Sequence, residues 1–502
     1  MAKPMMLIRA PVGTRSGYGD MARDICRHLI NIDKWDVKIW PCPWGQTPMN
    51  ALSPDSPRDK PLIDRMVNDQ PPRQPEIFVS ITVPNEFQPV GKFNIGITAG
   101  IETTACDASW TEGMNRMDVT FTISEHSKKV LLATQFDKKN QQGHSIGVLT
   151  NTKPVEVLHN CVDLGIFRKI PKTEVLPTVD AALLNIKERF CFLFVGHWLS
   201  GNIGADRKDV GMLVKVFLEV FRQVPAKSRP ALILKTSGAG FSVLEREEML
   251  GKIRSVRDTV KGKSLPSVYL LHGDMTDEEM NSLNNHPKVK AFVSFTKGEG
   301  FGRPLLEASI TGKPIIVSGW SGHLDFLTPD EAILMPGKLE EVDPSAVWEG
   351  VINKGTQWFK VDYPMAGNYL HHIWKNYPQF VDRGAKMAVR NAERFSFEQI
   401  QKETDELFAK YLPPFYIPDQ VELKLPSLPK LGKIVLKSPE MATPKLEKIP
   451  LRKAEKHGME VPEGATSEAA VGAKASAPGA TEPNGTIVKE GEEIDGKEKR
   501  SQ

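Results

Sequence analysis

Two successive series of short apolar runs, each run followed by an amphipathic stretch, predict an α/β protein with two doubly wound parallel sheets. Three observations carry this expectation. The run Phe190-Cys191-Phe192-Leu193-Phe194-Val195-Gly196 is continuously apolar, as a strand buried on both faces must be. Similar runs recur before it and after it. A glycine-rich turn follows the run Ala291-Phe292-Val293-Ser294-Phe295 and leads straight into a helical pattern.

In the first series, strands are expected at residues 5–10, 37–40, 77–82, 93–98, 119–123 and 155–158. The stretch from Gly13 to Gly19 reads as a flexible loop, and apolar residues at Met21, Ile25 and Leu29 give a helix over 20–30. Residues 41–75 are rich in proline and polar residues, and little regular structure is expected there. In the second series, strands are expected at 190–196, 231–235, 268–271, 291–295 and 314–317. Helices intervene over 210–224, 243–256 and 277–283, with acids in the first turn of the last. A final helix over 396–411 has Ser396 as its N-cap. After Tyr416 there is no aromatic residue, and Lys, Glu, Pro, Ala and Gly dominate. Such a stretch buries too little apolar surface to offset its ordering entropy, so 418–502 is expected to be disordered.

The chain has 502 residues, enough for two or three domains at roughly 150 residues each. A first domain over 1–175, completed by the helix at 396–412, and a second over 176–395 fit the two series. Charged residues make up 25% and the net charge is +3, which does not announce a nucleic-acid surface. The five cysteines are scattered, odd in number and form no C-x-x-C. They argue against a zinc site or a disulfide framework and for a reducing compartment. With no secretory signal and no uncharged run near the ~20 residues of a membrane span, a cytoplasmic protein is expected.

The most informative stretch is Gly298-Glu299-Gly300-Phe301-Gly302-Arg303-Pro304-Leu305-Leu306-Glu307. Pro304 suits the first helical position, where its missing N–H costs nothing. Gly300 and Gly302 tolerate positive φ and let a ligand approach bare backbone. A strand, a glycine loop and a helix start make an anion-binding corner, and this one also carries two acids. A ligand with phosphates and several hydroxyls fits that description.

Residues 190–327 resemble the nucleotide-binding half of glycosyltransferase family 4, retaining enzymes of the GT-B fold. The likeness rests on Glu299 through Ala308, on Gly312-Lys313-Pro314-Ile315-Ile316-Val317, and on Gly322. A second likeness is Val155-Glu156-Val157-Leu158-His159-Asn160-Cys161-Val162-Asp163-Leu164-Gly165-Ile166-Phe167, similar to the family's segment closing the first domain. The resemblance implies that Glu307 accepts from the ribose hydroxyls, which a carboxylate with two oxygens can do bidentately. It implies that Glu299 meets the transferred sugar and that amides at Gly300, Phe301 and Gly302 meet phosphate or sugar oxygens. The family places an Arg and a Lys in the loop after the first strand of this half. Lys208 fits the lysine. His197 stands where the arginine is expected, with Arg207 able to supply the charge or His197 a hydrogen bond. Gly13 and Gly17 lie where GT-B enzymes set a loop against the cleft. Tyr18 reads either as a platform for a sugar face or as a packing residue. Gly100-Ile101-Glu102-Thr103-Thr104, after a strand, is another cleft candidate, with Glu102 read as a turn acid or as a contact to the acceptor or the sugar. His323 is read as a phosphate contact or an ordinary helix-start residue, and His126 is given no role.

The resulting expectation is a glycosyltransferase that moves a sugar from a nucleotide sugar to an acceptor in an interdomain cleft. Glu299, Lys208 and Arg207 act on the reacting centre, while Glu307, Gly300, Phe301, Gly302, His197, Gly13 and Gly17 bind substrate. The resemblance implies retention of configuration. No D-x-D motif is present to hold a metal, which agrees with metal-independent transfer, and no cofactor is called for beyond the donor. The acceptor is open: a glycan, a lipid-linked glycan, a protein or a modified nucleic acid. The alternatives are a GT-B epimerase or phosphorylase, a catalytically inactive GT-B scaffold that binds a glycan or partner protein, and a DNA-base glycosyltransferase.

Overall fold

A computed structural model describes residues 3–415, apart from 46, 69–72, 239 and 263, together with the backbone of Thr486–Lys489. The first half runs β1 (Met5–Ala10), α1 (Gly17–Ile32), β2 (Asp36–Pro41), α2 (Lys60–Ile63), β3 (Ile77–Ile81), β4 (Phe93–Thr98), α3 (Ala108–Asn115), β5 (Val119–Thr122), α4 (Glu125–Ala133), β6 (Gln135–Lys139), β7 (Ser145–Thr150) and β8 (Val155–Val157). The second runs α5 (Pro177–Ala182), β9 (Cys191–Val195), α6 (Val210–Phe221), β10 (Ala231–Lys235), α7 (Val243–Asp258), β11 (Val268–His272), α8 (Asp277–Asn285), β12 (Val289–Ser294), α9 (Arg303–Ser309), β13 (Ile315–Ser318) and β14 (Ile333–Met335). A hairpin, β15 (Gly337–Glu341) and β16 (Gln357–Val361), and three helices complete it: α10 (Tyr363–Asn376), α11 (Pro378–Arg394) and α12 (Phe397–Tyr411). The last described element is β17 (Thr486–Lys489).

The first sheet has the order β2-β1-β3-β4-β5-β8, with every pairing parallel. The second has the order β14-β13-β12-β9-β10-β11-β17, parallel except for β17 on the β11 edge. Both sheets belong to one compact unit. The central strands show why their sequences are continuously apolar. Along β9, Cys191 and Leu193 enter one core cluster and Phe192 and Phe194 the other, so both faces are buried. Chain order reverses between β1 and β3 in the first sheet and between β9 and β12 in the second. In an open α/β sheet the loops diverge at such a reversal and leave a crevice at the carboxyl ends of the strands.

Helix α12 crosses back to the first sheet. Ser396 caps it by accepting from Gln399 N–H, as its sequence predicts. Phe408 packs on Trp35 and Phe121, and Glu156 accepts from Tyr411 Oη at 2.6 Å and Lys410 Nζ at 2.5 Å. Those partners hold the Glu156 carboxyl at about 2, well below the ordinary range.

Several elements differ from expectation. Helix α1 begins at Gly17, capped by Ser16, so the loop after β1 is shorter than the Gly13–Gly19 span. Pro304 is the second residue of α9, behind Arg303. The hairpins β6–β7 and β15–β16 and the helices α3, α10 and α11 were not expected. Among the described residues of 41–75 the one helix is α2. All five cysteines are buried and unpaired. Of the C-terminal stretch expected to be disordered, Thr486–Lys489 is described as a strand, and the rest lies outside the described residues.

Candidate active site at the lobe junction

The loops after β9 and β12, strands adjacent across the reversal, carry His197, Arg207, Lys208, Glu299, Gly300, Phe301 and Gly302. Lys208 Nζ lies 2.5 Å from Glu299 Oε1, with side-chain exposures of 9% and 13%. Burial alone would raise the Glu299 pKa. Lys208 and Arg207 beside it outweigh burial and hold it below the ordinary carboxylate range. Glu299 N–H donates to Ser321 Oγ at 2.9 Å, and its carbonyl accepts from Gly322 N–H at 3.0 Å. The loops after β12 and β13 are thereby laced together.

The glycines of this turn are there for close approach. A Cβ on Gly300 would stand 2.1 Å from the carbonyl oxygen of Ala99, and one on Gly298 would stand 2.1 Å from that of Glu102. Both oxygens belong to the loop after β4 of the first sheet, so any side chain at either glycine would push the two lobes apart. Gly302, at φ +97°, starts α9 in a conformation glycine favours. Among the described residues, the amides of Gly300, Phe301 and Gly302 donate to no protein acceptor. The Phe301 side chain, by contrast, is core. It is 2% exposed and packs on Phe326 at 4.9 Å and Phe395 at 6.0 Å between ring centroids.

Arg207 pairs with Glu102, so the residue read as a turn acid joins the loop after β4 to the loop after β9. Burial works against the Arg207 charge, and Glu102 more than restores it. His197 does not take up the missing positive charge. Burial, Arg207 and Lys208 together lower its pKa, and its Nδ1 lies 3.4 Å from Ser237 Oγ. A neutral imidazole there is a hydrogen-bonding group, leaving Arg207 and Lys208 as the cations of the loop.

Glu307 occupies a different setting. Its Oε1 accepts from Arg303 Nε at 2.9 Å, and Arg303 Nη1 reaches Asp24 Oδ2 on α1 at 2.7 Å. Burial pushes the Glu307 carboxyl up to about 8; Arg303 opposes this, while Asp277 and Asp20 reinforce it. Neither Asp24 nor Arg303 was singled out from the sequence. They are 279 positions apart, and no spacing rule connects them.

In the loop after β1, the Gly13 carbonyl accepts from Ala51 N–H at 3.0 Å, and Gly17 is the first residue of α1. Arg15, between them, pairs with Asp274 after β11, so this turn faces the second lobe. Tyr18 packs rather than standing open. It stacks on Trp44 at 4.0 Å, and its hydroxyl lies 2.9 Å from Thr98 Oγ1 and accepts from Ala99 N–H. His323 lies in the 3-10 turn Gly322–Asp325, fully buried, with Nε2 2.7 Å from the Ser318 carbonyl oxygen. His126 lies against Trp320, 4.6 Å between ring centroids, and burial lowers its pKa to about 4. Among the described residues, no group of three or more His, Cys, Asp or Glu is placed to hold a metal ion. No described helix is long and apolar enough to cross a membrane.

No protein-family model matches the sequence, and no curated protein does. Solved structures do. Sucrose-phosphate synthase from Thermosynechococcus elongatus is similar with a TM-score of 0.54 at 14% identity, covering 81% of this chain and 98% of that one. Anabaena HepE in complex with UDP and glucose is similar with a TM-score of 0.52 at 11% identity, covering 81% and 100%. The same protein in complex with UDP-glucose gives a TM-score of 0.51 at 12% identity and the same coverage. At these identities the likeness is one of fold, and the fold these structures share with the chain is the two-lobed GT-B architecture of glycosyltransferases.

Proposed function

We propose that this protein is a nucleotide-sugar-dependent glycosyltransferase, similar to family 4, that transfers a sugar with retention and without a metal. The observation that carries the reading is the buried Lys208–Glu299 pair, flanked by Arg207 and by the open amides of Gly300, Phe301 and Gly302, where the two lobes meet. As the bond from the anomeric carbon to the donor diphosphate breaks, negative charge grows on the departing oxygen. Lys208 and Arg207 stabilise that charge more in the transition state than in the ground state. Glu299, kept ionised by the same cations, accepts from sugar hydroxyls. Glu307 accepts from the ribose hydroxyls, and His197 donates a hydrogen bond in place of the family's arginine. In a retaining transfer the acceptor hydroxyl attacks from the leaving-group face, and the departing phosphate takes its proton. The packing of Gly298 and Gly300 on the loop after β4 supports a closed site that keeps water from the donor.

Because HepE is solved with UDP and with UDP-glucose, uridine diphosphate sugars are the first donors to test. Calorimetry with UDP, GDP and ADP, followed by an acceptor screen with the tightest donor, tests the reading. Glu307→Ala is expected to weaken nucleoside diphosphate binding at least about tenfold, about 1.4 kcal/mol. A folded wild-type protein that binds none of the three nucleotides leaves the inactive scaffold as the surviving interpretation.

A further inference from the structure

Two charges that the proposed chemistry does not use flank the site from behind. Asp209 follows Lys208, Lys297 precedes Gly298, and both side chains are 0% exposed. Asp209 has φ +52°, a conformation uncommon for a residue with a side chain. Its Oδ2 accepts from Tyr363 Oη at 2.8 Å and lies 3.9 Å from Lys297 Nζ. Lys297 Nζ donates to Glu340 Oε1 at 3.0 Å and sits 5.4 Å from the Trp358 ring centroid. Lys360 holds the other Glu340 oxygen at 3.0 Å. Asp209 Oδ1 is buried without a partner. The backbone repeats the link: Lys297 N–H donates to the Arg207 carbonyl at 2.9 Å, and Phe359 N–H to the Lys297 carbonyl at 2.9 Å.

Burying such charges stabilises a fold less than well-packed apolar residues of similar volume would. What this cluster supplies is position. It grips Arg207 and Asp209 on either side of Lys208 and, through Lys297, the strand end that leads into Glu299. The β15–β16 hairpin anchors it through Glu340, Trp358 and Lys360. We propose that Lys297, Asp209 and Tyr363 are positioning residues that hold the Lys208 loop in register with the Glu299 turn. Its catalytic consequence rests on the function proposed above; its structural content does not.

Amide hydrogen exchange of the unliganded protein tests the structural content without any substrate. Tyr363→Phe removes one hydroxyl, and Asp209→Asn keeps a side chain tolerant of positive φ while removing the charge. Exchange over residues 206–210 and 297–302 is expected to rise at least about threefold in both and about tenfold in Lys297→Met, with the first sheet unchanged. In transfer assays kcat is expected to fall about tenfold in Lys297→Met with KM within about twofold, since a displaced catalytic group costs rate more than binding. If Lys297→Met does not fold, the two milder variants decide. Unchanged exchange and kcat in folded Tyr363→Phe and Asp209→Asn overturn the proposal. Raised exchange in variants of a wild-type protein that neither binds nucleotides nor transfers sugar upholds the positioning network and removes the enzymatic reading instead.

Discussion

Glu299 and Glu307 stand eight residues apart at one lobe junction, yet their surroundings push them in opposite directions. Glu299 has Lys208 and Arg207 against it and is held in its charged form. Glu307 shares one guanidinium with Asp24, has Asp277 and Asp20 nearby, and keeps its proton up to about pH 8. Two carboxyls split in this way are suited to different tasks. A fixed anion beside two cations organises a reacting centre. A carboxyl that shares a guanidinium with the opposite lobe can exchange that hydrogen bond for one from a ligand hydroxyl as the lobes adjust.

The sharpest way to break this contrast is Lys208→Ala. It leaves Glu299 buried with only Arg207 near, so it is expected to cost about 3 kcal/mol of stability and to cut transfer at least about tenfold. Adding Glu299→Gln is expected to recover most of the stability and none of the transfer. A Lys208→Ala protein with wild-type rates would show that the pair takes no part in chemistry.

Next in size are opposite pH slopes. The lowered Glu299 pKa contributes stability that is present above its unfolded value of about 4.5 and is lost as pH falls through the folded value. The raised Glu307 pKa contributes stability that is full below about 4.5 and is lost as pH rises through about 8. Thermal melts across pH should therefore show Glu299→Gln trailing wild type at neutral pH and converging with it in acid. Glu307→Gln should gain on wild type as pH rises from about 4.5 to about 8 and hold a constant margin above that. Parallel curves for the two variants would remove the electrostatic distinction. The smallest effect belongs to Arg15→Ala. Arg15 and Asp274 are 38% and 46% exposed, so losing their pair across the lobes is expected to cost under about 1 kcal/mol in melting experiments.

The parallel strands were legible because burial on both faces leaves a continuous apolar signature, as in β9 and β12. The hairpins were not. In β6–β7 most residues are exposed, and β15 reads Gly-Lys-Leu-Glu-Glu, a composition that suits a solvated helix or loop as well as a strand. The glycine turn singles out Glu299 and Glu307, because backbone demands and charge lie close together in the chain there, whereas Arg207 and Lys208 are singled out by the likeness to glycosyltransferase family 4. Their partners stayed hidden. The cleft candidate after β4 contains Glu102, but nothing in the sequence pairs it with Arg207 or Asp24 with Arg303, because ion pairs between lobes join positions more than a hundred residues apart. Lys297 and Asp209 carry no signal in the sequence, and only their complete burial marks them.

The return of α12 to the first sheet has a consequence for biosynthesis. The ribosome delivers β8 about 250 residues before Tyr411, an interval of roughly 10–50 s at ordinary elongation rates. Throughout that time Trp35 and Phe121 lack the Phe408 ring that covers them in the finished protein. A nascent chain stalled before residue 396 is therefore expected to bind a hydrophobic dye, and one released after 415 is not. Equal dye binding by the two would mean that the first lobe closes without its final helix.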